Sequence, residues 1–140
     1  MSSPTVPTLR LTHAAALQML SAAADEATAT GQPQCIVIVD ASGEMIASVR
    51  MDGAKFLSLR SATAKARTAA SINGPSGNIP PDFAPKIAAA TGNEVTGLPG
   101  GLPIRFGGTL VGGIGVGSGT GDQDLAVGRA GLASVGADEV

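Results

Sequence analysis

Gly113, Gly115 and Gly117 alternate with Ile114 and Val116 near the end of the chain, and no other feature narrows its fold as far. Successive side chains of a strand point to opposite faces. Ile114 and Val116 therefore share one face of this strand, while the other face carries no side chains. A bare face of that kind permits very close approach by a helix, a neighbouring subunit or a ligand.

The other elements follow from periodicity and punctuation. Residues 1–10 read as an N-terminal arm, with Pro4 and Pro7 blocking regular structure; residues 11–140 read as a single domain. Thr12 is placed to cap an alanine-rich helix that runs to about Thr30. Leu17, Leu20, Ala24 and Ala27 form its apolar stripe, and Gly31 and Pro33 stop it. Cys35 to Val39 is a buried strand, Asp40-Ala41-Ser42-Gly43 a turn, and Glu44 to Arg50 an alternating strand with Met45, Ala47 and Val49 on one face. Phe56 to about Ile72 is a second helix, on which Leu59, Ala62, Ala66 and Ala69 or Ala70 mark a small-residue face that lets its axis approach a sheet. Residues 73–103 are irregular apart from a short helix at Phe83 to Ala90. Ile104–Phe106 and Thr109–Val116 make a second hairpin around Gly107-Gly108, and a last helix covers Asp122 to Val135. This order, α-β-β-α-(α)-β-β-α, predicts an α/β (α+β) domain with an antiparallel sheet of about five strands flanked by helices.

Composition removes several function classes. With 44% hydrophobic and 14% charged residues, the 140-residue chain is too apolar to be disordered. A net charge of −2 and the absence of Trp and Tyr leave neither phosphate neutralisation nor stacking platforms, which excludes nucleic acid as a partner. Cys35 is the only cysteine, so there is no internal disulfide, no CxxC zinc site and no CxxCH haem attachment. No run approaches the roughly 20 apolar residues of a membrane span, and Met1–Arg10 lacks the apolar core of a secretory signal. A cytoplasmic location away from membranes is therefore expected.

A set of strings in fixed order carries a resemblance. Val39-Asp40-Ala41-Ser42-Gly43 lies on the first turn, Arg50-Met51-Asp52-Gly53-Ala54 follows the second strand, and Ala64-Lys65-Ala66 lies in the second helix. Gly100-Gly101-Leu102-Pro103 precedes the second hairpin, and Gly113-Ile114-Gly115-Val116, Ser118-Gly119 and Asp124 close the chain. Over roughly residues 9–136 the chain resembles the GlcG/HbpS family, which includes a haem-binding protein and the C-terminal domain of some cobalamin adenosyltransferases. The resemblance implies an antiparallel sheet flanked by helices, assembly into dimers or larger oligomers up to octamers, and haem or tetrapyrrole binding in some members. Relative to the family's usual Gly-x-x-Gly-x-Ser-Gly pattern, Gly117 is an addition before Ser118.

Several residues could carry chemistry. His13 is the only histidine and stands at a helix start, where an imidazole nitrogen is free to ligate iron or act as a base; the resemblance implies a first-helix histidine as the haem ligand. The other reading of His13 is an ordinary surface residue. Arg50, Asp52 and Lys65 occupy a strand end, its loop and a helix. In a shared pocket Arg50 would anchor a carboxylate and Lys65 and Asp52 would move protons; alternatively they form a structural ion pair. Gly101, Gly113 and Gly115 are candidates to line a cofactor cavity roofed by residues 97–103, or else mark close packing. The stretch 112–121 holds neither GxGxxG nor GK[ST], so it is not a nucleotide loop.

Three readings stay open on these residues: a small-molecule-binding protein with haem or a related ligand; a cofactor-free isomerase or lyase acting on a small carboxylated or enolisable substrate; and an oligomeric scaffold. The low charge and the bare glycine face predict a symmetric homo-oligomer, at least a dimer. Light scattering at micromolar concentration should return a multiple of the 13.7 kDa chain, and a monomeric mass would contradict the expectation.

Overall fold

The computed structural model of the chain describes residues 2–140. Helix α1 spans His13–Thr30, β1 Cys35–Asp40, β2 Met45–Arg50, α2 Leu57–Ile72, α3 Ala84–Ala90, β3 Gly101–Phe106, β4 Thr109–Gly117 and α4 Gly121–Ser134, with a 3-10 turn at Ser76–Asn78. Local chemistry sets the ends. The Thr12 hydroxyl accepts the Ala15 amide at 3.1 Å to start α1, and Gly31 ends it at φ +77°. Thr120 and Gln123 form a capping box at α4. Gly107 and Gly108, at φ +56° and +81°, form the tight β3–β4 turn.

The strands make one antiparallel sheet in the order β2-β1-β4-β3. The α+β architecture and both hairpins are as expected, but the strands number four rather than about five. Residues 73–100, which would have had to supply a fifth, are taken up by turns, the 3-10 turn and α3, with Pro75, Pro80 and Pro81 removing ladder donors. Strand β3 starts three residues earlier than its apolar run suggests and includes Pro103, which an edge strand tolerates.

Helix α2 covers one face of the sheet, and α1 and α4 cover the other. Ile36, Ile38, Leu102, Ile104, Ile114 and Val116 pack with Met19, Leu20, Val127 and Leu132 on the α1/α4 side. Cys35, Val37 and Val39 pack with Ala62, Ala66 and Ala70 on the α2 side. The bare glycine face of β4 belongs to this second layer. A Cβ at Gly113 would collide with the Ala66 carbonyl oxygen, one at Gly115 with the Ala62 carbonyl oxygen, and one at Gly117 would lie 3.1 Å from Ser58 O. Two strand residues rise about 6.6 Å and four helical residues about 6 Å, so glycines two apart meet α2 carbonyls four apart. The helix backbone rests directly on the strand backbone, and the space that Gly101, Gly113 and Gly115 were candidates to leave for a cofactor is filled by α2.

Two expected faces are corrected. The β1–β2 register steps from Ile38↔Ala47 to Val39↔Met45, which makes Ile46 a bulge residue. Ala47 and Val49 stay on the α1/α4 side, whereas Met45 turns to the α2 side. On α1 the buried stripe is Ala16, Met19, Leu20, Ala23 and Ala27, and Leu17 is left 56% exposed.

Gly115→Ala should lower stability by about 3 kcal/mol or more, because the obstacle is helix backbone that cannot rotate away. Gly74→Ala, whose Cβ would meet nothing closer than 3.6 Å, should change it by less than about 1 kcal/mol. Urea unfolding midpoints of the two variants check the contrast.

Candidate functional site

Lys65 points from α2 toward the glycine-lined ends of β3 and β4. Its Nζ donates to Val116 O at 2.8 Å and to Asp124 Oδ2 on α4 at 3.0 Å, with Lys65 5% and Asp124 2% exposed. The second carboxylate oxygen of Asp124 accepts the Gly119 amide at 3.1 Å. Burial pushes the Asp124 carboxyl above the ordinary carboxylate range, and the Lys65 ammonium and the Gly119 amide offset this only in part. Gly100 and Gly101 make room for the lysine: a Cβ on Gly100 would lie 3.1 Å from Lys65 Cδ, and one on Gly101 would strike the Lys65 carbonyl. Gln34 is wholly buried at the same end, where its side-chain amide faces Asp124 and favours the ionised carboxylate.

The structure brings Arg50 and Asp52 together and leaves Lys65 apart from them. Both exposed residues line a groove of about 510 Å³ with Ala27, Thr28, Gly31, Pro33, Val49 and Met51. Lys65 does not line it, and its carboxylate partner is Asp124 instead of Asp52. The single cavity expected beneath residues 97–103 is closed by α2 and the Lys65 stem. Distance along the chain hid the pairing, since Lys65 and Asp124 are 59 residues apart. Asp124 had an adequate local role as an acidic residue in the first turn of α4. A lysine between alanines on a buried helical face was the available signal, because a buried ammonium requires a counter-charge.

His13 is the first residue of α1 and is exposed. Leu17 lies one turn further on the same helical face. In the arm before it, Val6 is 81% exposed, and Leu9 and Arg10 are exposed as well. Cys35 is closed inside the sheet, where burial raises its thiol above the usual range despite the Arg50 charge and a Ser118 hydrogen bond. Among the described residues no group of three His, Cys, Asp or Glu side chains could hold a metal ion. No helix there is long and apolar enough to cross a membrane.

The family model described as "Haem degrading protein HbpS-like" matches residues 11–133. Among solved structures, the chain is similar to Klebsiella pneumoniae protein ORFY, with a TM-score of 0.92 and 26% identity over 99% of both chains. It is also similar to a double mutant of Streptomyces reticuli HbpS, with a TM-score of 0.82 and 32% identity over 95% of this chain and 92% of that one. A PduOC:heme complex shares the fold, with a TM-score of 0.86 at 24% identity over 94% of this chain and 99% of that one. Comparison with curated proteins gives no match.

Lys65→Met removes one half of the buried pair and leaves the Asp124 carboxylate without its counter-charge, which should cost about 3–5 kcal/mol. Adding Asp124→Leu should restore most of that loss. Denaturant unfolding of wild type, single and double variants measures the coupling; a Lys65→Met protein as stable as wild type would contradict the assignment of a buried ion pair.

Proposed function

This chain belongs to the HbpS-like family, and we propose that it binds haem or a closely related flat tetrapyrrole with His13 as the axial ligand. The observation that carries the reading is an exposed, solitary imidazole at the start of α1, one helical turn from the exposed side chain of Leu17. His13 is the chain's only histidine. A neutral imidazole is the commonest protein ligand of haem iron. Leu17, on the same helical face, offers apolar surface for a porphyrin face. Arg10 offers a guanidinium for a propionate. The thiol of Cys35 and the thioether of Met19 are fully buried and out of reach of a planar ligand.

His13 is exposed at the start of α1, so these residues would take haem on an open shelf. A second copy would cover the outer face of the ring. Haem, when bound, supplies iron redox chemistry; the chain contributes the imidazole, apolar contact and charge. The acid/base enzyme reading has less support, since the Lys65 ammonium is engaged by Val116 O and Asp124 and closed off from the surface.

Titration of the purified protein with haemin should give a saturable shift of the Soret band. His13→Ala should remove that shift or weaken binding at least tenfold, with an unchanged melting temperature because the side chain is exposed. A wild-type protein that leaves the haemin spectrum unchanged would overturn the proposal, and an unaltered titration of His13→Ala would remove His13 as the ligand.

A further inference from the structure

The outer face of α2, opposite the one seated on the sheet, borders two adjoining cavities. One, of about 520 Å³, is lined by Met45, Leu59, Arg60, Thr63, Ala64 and Asn93, among others. The next, of about 300 Å³, shares Arg60, Ala64 and Asn93 with it and adds Leu57 and Ala88. Volumes of this size suit small ligands. We infer that this groove is a binding site for a small monocarboxylate with a short apolar body, anchored by the Arg60 guanidinium.

The two arginines of the groove are placed alike and used differently. Arg67 is held at two points: its Nε donates to Gly43 O and its Nη1 to Glu94 Oε1, both at 2.8 Å. Arg60, two helical turns earlier on the same side, has no hydrogen bond or ion pair among the described residues. With Glu94 the only acid in the lining of the two cavities, the groove carries +1 − 1 + 1 = +1 from Arg67, Glu94 and Arg60 on a chain whose net charge is −2. The positive end of the α2 dipole lies close to Arg60 and adds to the same potential. A planar guanidinium with both edges free matches a carboxylate in bidentate fashion. Beside it, Arg67 already donates to a carboxylate through one bond, Nη1 to Glu94 Oε1.

The remaining lining decides the rest of the ligand. Gly92 and Asn93 are both left-handed, at φ +62° and +66°, and this sharp exit from α3 sets Asn93 at the junction of the two cavities. Its side-chain amide has no intramolecular partner among the described residues and can serve a second ligand oxygen. Thr63 donates its hydroxyl proton to Leu59 O at 2.7 Å, which leaves the oxygen free to accept. Met45, turned to this side by the Ile46 bulge, and Leu57, 60% exposed, give apolar surface at either end. One unpaired guanidinium offsets the single charge of one carboxylate; a phosphate dianion would bring a second negative charge that the groove's net +1 does not offset.

The site is separate from the His13 shelf and does not depend on the haem reading. The test uses the full chain and sodium butanoate, octanoate and phenylacetate as probes, with the matching amides and inorganic phosphate for comparison. Calorimetry should show saturable binding of at least one carboxylate, with its amide at least tenfold weaker. Arg60→Gln should lose that binding by at least tenfold, Arg60→Lys should retain part of it, and His13→Ala should retain all of it. Amide or phosphate binding as tight as the carboxylate, no saturable binding of any probe, or an Arg60→Gln protein that binds normally would each overturn the inference. Circular dichroism of the variants separates lost binding from lost fold; if Arg60→Gln fails to fold, competition for the carboxylate by free guanidinium at constant ionic strength supplies the same reading, and an absence of competition overturns it.

Discussion

The seat of α2 on the glycine face of β4 is the contact from which the rest of this molecule follows. Carbonyl oxygens of Ser58, Ala62 and Ala66 occupy the positions where side chains at 117, 115 and 113 would otherwise stand. Helix and sheet usually keep a layer of side chains between them; here it is reduced to the methyl groups of alanines and the bare strand. Because the two backbones touch, any added carbon meets an object that cannot move aside. This one packing requirement explains both the glycine alternation and the alanine face of α2.

The close approach also determines where polar chemistry can and cannot reside. With α2 pressed onto the sheet, a long side chain at position 65 has no room between the layers and extends past the start of β3, where Gly100 and Gly101 leave space. There it finds Val116 O and, across the sheet end, the Asp124 carboxylate of α4. The pair links a helix of one layer to a helix of the other, and the glycines at 100, 101 and 119 are the spaces it needs. A buried ion pair of this type is often no more stabilising than an apolar replacement, yet it penalises every arrangement that separates the two charges. The candidate groups correspondingly stand at the rim: His13 at the start of α1, Arg50 and Asp52 at the end of β2, and Arg60 on the outer side of α2.

Much of the architecture was legible in the chain itself. The caps at Thr12 and Gly31, the Gly107-Gly108 turn and the alternation in β4 are local signals, and each fell within a residue or two of its place. What could not be read was long-range or a matter of one residue. The Ile46 bulge has no marker such as Gly or Pro, yet it moves Met45 to the other side of the sheet. Leu17 fits an apolar stripe by spacing, but α1 is rotated so that Ala16 and Met19 face inward. The Lys65 partner depends on bringing together two helices on opposite faces, which no periodicity reveals; Asp52, near in sequence, was the natural but mistaken candidate. The arm from residue 2 to residue 10 shows the reverse case, since Pro4 and Pro7 announced the absence of regular structure and the fold has none there.

With the core sealed, the proposed porphyrin site lies on the rim, at the start of α1. Amide chemical-shift mapping with gallium(III) protoporphyrin, a diamagnetic stand-in for haem, tests this directly. The largest perturbations should cluster at residues 6–17 around His13, with those of Lys65, Asp124 and the β4 glycines unmoved. Perturbations centred on the glycine strand and Lys65, or none at residues 6–17, would contradict it.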